Sequence, residues 1–295
     1  MSQRSPQRRS RPDSGVSGCV VVDKPAGMTS HDVVDRVRRA LGTRKVGHAG
    51  TLDPDATGVL VLGVGLGTKL LQFVTGADKT YVGEMVLGVE TSTLDAAGEV
   101  TATFEMSVDA QQVEDAAKAF VGSLLQVPPM VSAVRVGGKR LHELARQGKV
   151  VEREPRPVTV HSLVTAPTDD PLVYRIEVSC GSGTYIRSLA ADIGTALGGG
   201  AHLRALRRLS VGSFDLDHAC SIEEIVLGPV IDLLAGMPRL EVDESVASQV
   251  LNGRTLGPAP GTGQLAVIGP LGRLLAIYEA RDGAFRPVKV LHETS

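Results

Sequence analysis

Gly47-His48-Ala49-Gly50-Thr51-Leu52-Asp53-Pro54-Asp55-Ala56-Thr57-Gly58 is the most unusual stretch of this chain. It crowds Gly, Pro, His, Asp and Thr into a run too irregular for a helix and too polar for a core strand. It then leads straight into an apolar strand predicted over 59–65. A polar loop attached to a rigid strand is a common seat for catalytic side chains. Asp53 before Pro54 also has a purely structural reading, because Asp bonds nearby amides and Pro fixes φ, which together start a turn.

Working outward, Gly18 to Lys24 reads as a short β-branched strand stopped by Pro25 and Gly27. Thr29 then caps a helix whose apolar positions are Val33, Val34, Val37 and Leu41. Downstream, 81–88 and 175–180 read as strands, 109–121 as an amphipathic helix, and 185–197 as a helix stopped by Gly198-Gly199-Gly200. Strands and helices mix without a regular βαβ rhythm, which predicts an α+β fold built on a mixed sheet with flanking helices and loops. After the Gly236-Met237-Pro238 break the texture changes to short strands, 264–268 and 274–278, between Gly/Pro turns. The expected organisation is a basic tail over 1–13, a main domain over 14–236 and a small β-rich, barrel-like domain over 237–295.

Composition narrows the function. No run approaches the 18 or so apolar residues of a membrane span, and the Ser/Arg/Pro-rich N-terminus lacks an apolar signal segment, so a cytoplasmic protein is expected. Cys19, Cys180 and Cys220 are scattered and odd in number, which supports neither a disulfide framework nor a cysteine metal site. The net charge of −2 excludes a uniformly basic nucleic-acid glove. That sum hides segregation: residues 84–115 carry acids and no Lys or Arg, whereas 1–12, 135–156 and 204–208 are rich in Arg and Lys. The basic segments predict one anion-binding face, with 135–156 as a mobile flap. Aromatics are 3% of the chain, so any stacking falls on a few tyrosines.

Several familiar motifs fail. The Gly63 to Lys69 segment matches neither phosphate-loop spacing, and Gly181-Ser182-Gly183 lacks the nucleophile-elbow spacing. The histidines are dispersed, so no metal is expected, and Asp53 and Asp55 are not read as an acid/base pair.

The 47–58 segment closely resembles the catalytic motif of the TruB family of bacterial tRNA pseudouridine-55 synthases. Asp23-Lys24-Pro25-Ala26-Gly27-Met28-Thr29-Ser30, Lys79-Thr80-Tyr81, Pro128-Pro129 with Ser132-Ala133, Gly183-Thr184-Tyr185-Ile186-Arg187-Ser188-Leu189, and Ala201-His202 with Leu206-Arg207-Arg208-Leu209 follow in the family's order. The resemblance spans roughly 18–210, and the tail end is similar in position and texture to a PUA-like RNA-binding domain. His142 departs from the family's usual Tyr, and Ala49 from a common Thr.

The resemblance implies the pseudouridine-synthase fold and an isomerase that detaches uracil from ribose C1′ at N1 and rejoins it through C5. It implies no cofactor and a flipped uridine in the T-arm of tRNA, whose extrusion costs a few kcal/mol. It assigns Asp53 as the catalytic carboxylate and Arg187 as its bidentate partner. Tyr81 would stack on the uracil and accept the C5 proton, Tyr185 and Leu206 would line the pocket, His48 would contact RNA beside the vacated stack, and Lys24 would support the loop or a phosphate. The chain is expected to act as a monomer. A non-catalytic RNA-binding or tRNA-chaperone protein of the same fold, or a synthase acting on another RNA, are the alternatives.

Overall fold

A computed structural model describes residues 15–132, 135–136, 138–141, 144, 147–149, 151–259 and 261–292. The tail expected over 1–13, His142 and Arg146 lie outside the described residues. In chain order the elements of the larger unit are β1 (Gly18–Lys24), α1 (Ser30–Leu41), β2 (Val46–His48), β3 (Thr57–Val64), α2 (Leu71–Thr75), β4 (Lys79–Leu87), β5 (Val89–Thr91), β6 (Val100–Thr103) and α3 (Ala110–Lys118). They continue with β7 (Gly122–Gln126), β8 (Arg135–Val136), β9 (Lys139–Arg140), β10 (Arg156–Pro167), β11 (Val173–Cys180), α4 (Ile186–Ala196), β12 (Ala201–Val211) and β13 (Phe214–Asp215).

A nine-stranded sheet forms the frame, in the order β1-β3-β12-β4-β11-β10-β7, with β2 on β3 and β13 on β12. Its pairs are antiparallel except where β12 meets β3 in parallel at Arg207↔Thr57 and Arg208↔Gly58. This is the mixed-sheet α+β architecture. Gly58 makes that contact possible: its φ is +101°, and a Cβ there would lie 2.1 Å from the Arg208 carbonyl oxygen.

The helices seal the sheet. Thr29 and Asp32 form a reciprocal capping box at the start of α1, and Val33, Val34 and Val37 turn inward onto Val20, Val22, Leu60 and Leu62. Each such valine contributes about 2 kcal/mol by burial. Helix α4 lays Ile186, Leu189, Ala190 and Ile193 against Met85, Ile176, Val178 and Leu203.

The C-terminal unit comprises β14 (Arg239–Glu241), α5 (Glu244–Leu251), β15 (Leu256–Pro258), β16 (Gly263–Ile268), β17 (Leu274–Arg281) and β18 (Ala284–Val290). Its sheet runs β14-β16-β17-β18-β15. The order leaves β14 and β15 as ends among the described residues, so the barrel-like expectation is corrected to an open sheet. Helix α5 covers one side through Ala247 and Val250. The other side joins the larger unit: Ala266, Ile268, Ile277 and Leu291 share a buried cluster with Cys19, Val21, Val59, Leu233 and Leu234.

Candidate active site

The loop between β2 and β3 carries Asp53, and four clamps fix it. Ser30 Oγ accepts from Leu52 N at 2.8 Å and donates to Leu52 O at 3.1 Å, tying the loop to the first turn of α1. Lys24 Nζ donates to Pro54 O at 2.8 Å, and Arg208 Nη2 donates to Gly50 O at 3.2 Å. Ala56 N donates to Asp53 O at 3.2 Å, so Asp53-Pro54 does start a turn; the turn and the chemistry coexist.

The fourth clamp is Arg187, in the first turn of α4. Its Nε lies 3.0 Å from Asp53 Oδ2 and its Nη2 3.2 Å from Asp53 Oδ1, a bidentate pair. Nη1 reaches Asp95 Oδ2 at 3.2 Å and Thr93 O at 2.9 Å, and Nη2 reaches Val131 O at 2.8 Å. Arg187 is 4% exposed, and its guanidinium is held by two carboxylates and two backbone carbonyls. Its orientation is therefore set, and it orients Asp53 in turn. The Asp53 side chain keeps 38% of its surface open. Burial pushes its carboxyl above the usual carboxylate range, and Arg187 pulls it part of the way back.

Two cavities of about 430 and 410 Å³ meet at Asp53, Val131, Arg187 and Leu206. Tyr81, Tyr185, Lys79 and Arg208 line the first. Tyr81 faces it because β4 alternates, placing Lys79, Tyr81, Met85 and Leu87 on the buried face. Burial pushes its phenol up, and a hydrogen bond with Arg208 opposes that. Tyr185 precedes α4 in extended conformation and lines the first cavity. The 4% exposed Gln126 pins it, accepting from Tyr185 N at 2.8 Å and donating to Tyr185 O at 3.1 Å.

The other expected residues divide. Leu206 lines both cavities. His48 lies at the end of β2 opposite Leu62 and lines neither; burial pushes its imidazole below the ordinary value. Lys24, expected to support the loop or a phosphate, braces the loop. It is 0% exposed, and its three N–H bonds go to Pro25 O, Met28 O and Pro54 O at 2.9, 2.6 and 2.8 Å. No donor is left for a phosphate, so Lys24 is a strut under the Asp53 loop.

In the basic run 204–208, Arg204 Nε pairs with Glu84 at 2.8 Å, Arg207 holds Asp23 at 2.7 and 3.0 Å, and Arg208 is 1% exposed. Sequence reasoning missed Asp95, Gln126, Lys79 and the inward role of Arg208. Asp95 had one signal: it lies in a segment with no nearby cation, so its partner had to come from elsewhere in the chain.

Among the described residues no helix is long and apolar enough to cross a membrane, and no group of three or more His, Cys, Asp or Glu side chains is placed to hold a metal.

The chain is similar to known proteins over most of its length. The profile for the TruB family pseudouridylate synthase N-terminal domain matches residues 38–186, that for the tRNA pseudouridylate synthase B C-terminal domain 187–228, and that for the tRNA pseudouridine synthase II C-terminus 237–292. The tRNA pseudouridine synthase B of Mycobacteroides abscessus is 44% identical over 286 residues, covering 93% of this chain and 96% of that one. Its namesake from Thermobifida fusca is 43% identical over 286 residues, covering 92% and 98%. Among solved structures, an H/ACA RNP bound to a substrate RNA containing 2′-deoxyuridine and a Cbf5-Nop10-Gar1 complex each superpose with a TM-score of 0.71 at 24% identity. They cover 93% and 94% of this chain and 85% of theirs, a likeness of fold. The chain belongs to the TruB family of pseudouridylate synthases.

Proposed function

We propose that this chain isomerises uridine 55 in the T-loop of tRNA to pseudouridine, with Asp53 as the catalytic carboxylate. The observation that carries the reading is the bidentate Asp53–Arg187 pair at the junction of two cavities, its carboxylate open on one side. A pure RNA binder gains nothing from a partly desolvated carboxylate held on a buried arginine; a reaction at a sugar carbon does. The names of the bacterial relatives support tRNA as the substrate.

The reaction is internal to the nucleotide and supplies its own atoms: C1′–N1 breaks, uracil turns, C1′–C5 forms, C5 loses a proton and N1 gains one. No cofactor is called for. The first cavity receives the extruded base, with Tyr81 stacked on it and Tyr185 and Leu206 as walls. Stacking on one aromatic ring returns about 1–3 kcal/mol of the cost of flipping. The Tyr81 oxygen takes the C5 proton as its own hydroxyl proton passes to solvent, so the phenol, kept neutral by burial, is neutral before and after the step. His48, ahead of the Asp53 loop, contacts RNA where the base has left its stack. Residues 14–236 carry the chemistry, and 237–295, PUA-like, add RNA contact. The enzyme acts as a monomer on the T-arm in the cytoplasm.

The test is release of tritium from tRNA labelled at uridine C5. Wild-type protein is expected to release it and Asp53→Asn to bind the same tRNA without release. Tritium release by Asp53→Asn at a rate near wild type overturns the assignment.

A further inference from the structure

Lys79 and Arg208 are buried cations that the chemistry of Asp53 leaves unused. Lys79 shares the inward face of β4 with Tyr81, and Arg208 lies directly across from Tyr81 on β12. They are 7% and 1% exposed, yet both line the cavity that holds Asp53. They flank Gly50 together: a Cβ there would meet Lys79 Cε at 3.5 Å and Arg208 Nη1 at 3.6 Å.

Lys79 Nζ donates to Ala77 O at 2.7 Å and Thr75 O at 3.1 Å, which leaves its third N–H without a partner among the described residues. Arg208 Nε donates to Val59 O at 2.7 Å. Neither forms an ion pair among the described residues; the nearby arginines 187, 204 and 207 all do. Burial, with Arg208 beside it, pushes the Lys79 ammonium below its ordinary value. Two neighbouring buried cations without a carboxylate are costly, and the cost is recovered when negative charge arrives with a ligand.

Uracil supplies such charge however Asp53 acts. If Asp53 attacks C1′, the C1′–O bond forms as C1′–N1 breaks, and the electron pair stays on N1, spread over O2 and O4. If Asp53 removes the ribose C2′ proton, the same pair departs with uracil. If Asp53 adds to C6, the pair moves onto O4. A phosphodiester carries charge too, but it belongs at the rim rather than beside the stacking tyrosine.

We propose that Lys79 and Arg208 are catalytic residues that form an oxyanion site for the uracil ring, stabilising its O2 or O4 while the base is anionic. The proposal rests on reading the chain as a uridine isomerase.

The experiment is single-turnover conversion of T-arm RNA carrying uridine or 5-fluorouridine at the target position, read from the nucleosides after nuclease digestion: pseudouridine from the first and, because C5 of the second has no proton to lose, a C5-linked product that keeps fluorine and takes up water across C6=N1. Fluorine at C5 stabilises the uracil anion without help from the protein. Lys79→Met is expected to slow the uridine RNA about 100-fold, the size of a lost oxyanion donor, with the RNA Kd unchanged. On the 5-fluorouridine RNA the loss is expected to fall to about tenfold or less, and Lys79→Arg, which keeps the charge, is expected to restore most of the uridine rate. Equal losses on the two RNAs overturn the proposal and leave Lys79 structural. A loss confined to Kd with a shallower salt slope also overturns it, in favour of a phosphate contact. Wild-type protein that converts no T-arm uridine overturns the isomerase reading, and this proposal with it; conversion by wild type with equal variant losses overturns this proposal alone.

Discussion

At the scale of single residues, Lys24 shows why a side chain's reach decides its role. From the sequence it stands at a strand end, where a lysine is usually solvated; in the fold it is sealed in, holding three carbonyls. Lys24→Met is expected to strip those carbonyls of their donors and cost about 3 kcal/mol in urea unfolding. Burial pushes the Lys24 ammonium down from 10.5 to about 8. Between those values the unfolded state binds more protons than the folded one, so the lysine's contribution to stability rises with pH across the window. The stability gap between wild type and Lys24→Met is therefore expected to widen from about pH 8 to 10.5, which unfolding curves at stepped pH check. Asp53 and Arg187 were legible because the motif names both. Asp95 and Gln126 were not, since each acts through a partner far along the chain and no local spacing reveals that partner.

At the scale of elements, local signals were sufficient where an element makes its own case. The Thr29 cap and the valines of α1, the apolar run of β3 and the glycine stop after α4 are short-range features, and the elements form where those features lie. Strand neighbours are a different matter. Nothing in the spacing of Leu206-Arg207-Arg208-Leu209 shows that β12 runs between β3 and β4, and that placement is what turns Arg208 inward and pairs Arg207 with Asp23. Gly58 is the hinge of the arrangement. Gly58→Ala puts a methyl against the Arg208 carbonyl at a backbone angle that L residues rarely adopt. It is expected to cost about 3 kcal/mol or more, judged against overpacking and strain together, and to lower activity with it because the Arg208 clamp on Gly50 shifts. Unchanged thermal stability in Gly58→Ala contradicts the proposed contact.

For the whole molecule, charge pairs in space in ways its order along the chain does not show. The segregation of acids and bases suggests a basic face built partly from 204–208; in the fold Arg204 pairs with Glu84, Arg207 with Asp23, and Arg208 with buried carbonyls. Part of the acidic flank is engaged as well: Glu84 with Arg204, Asp95 with Arg187 and Asp109 at the cap of α3. Under the proposed function, the basic 135–156 segment is expected to contact RNA. Arg207→Ala is expected to leave the slope of log Kd against log salt unchanged, whereas Lys149→Ala, at an exposed position, reduces it by about 0.7–0.9. The two units are also less separate than their textures imply, since the C-terminal sheet completes a core begun by β1 and β3.

The most direct measurement is a crystal structure of the chain with T-arm RNA carrying 5-fluorouridine at the target position. The target base is expected to lie extruded in the cavity of Tyr81, Tyr185 and Leu206, with Asp53, still on Arg187, within bonding reach of its ribose or ring. A target base still stacked in the RNA, or one seated away from Asp53, contradicts that expectation.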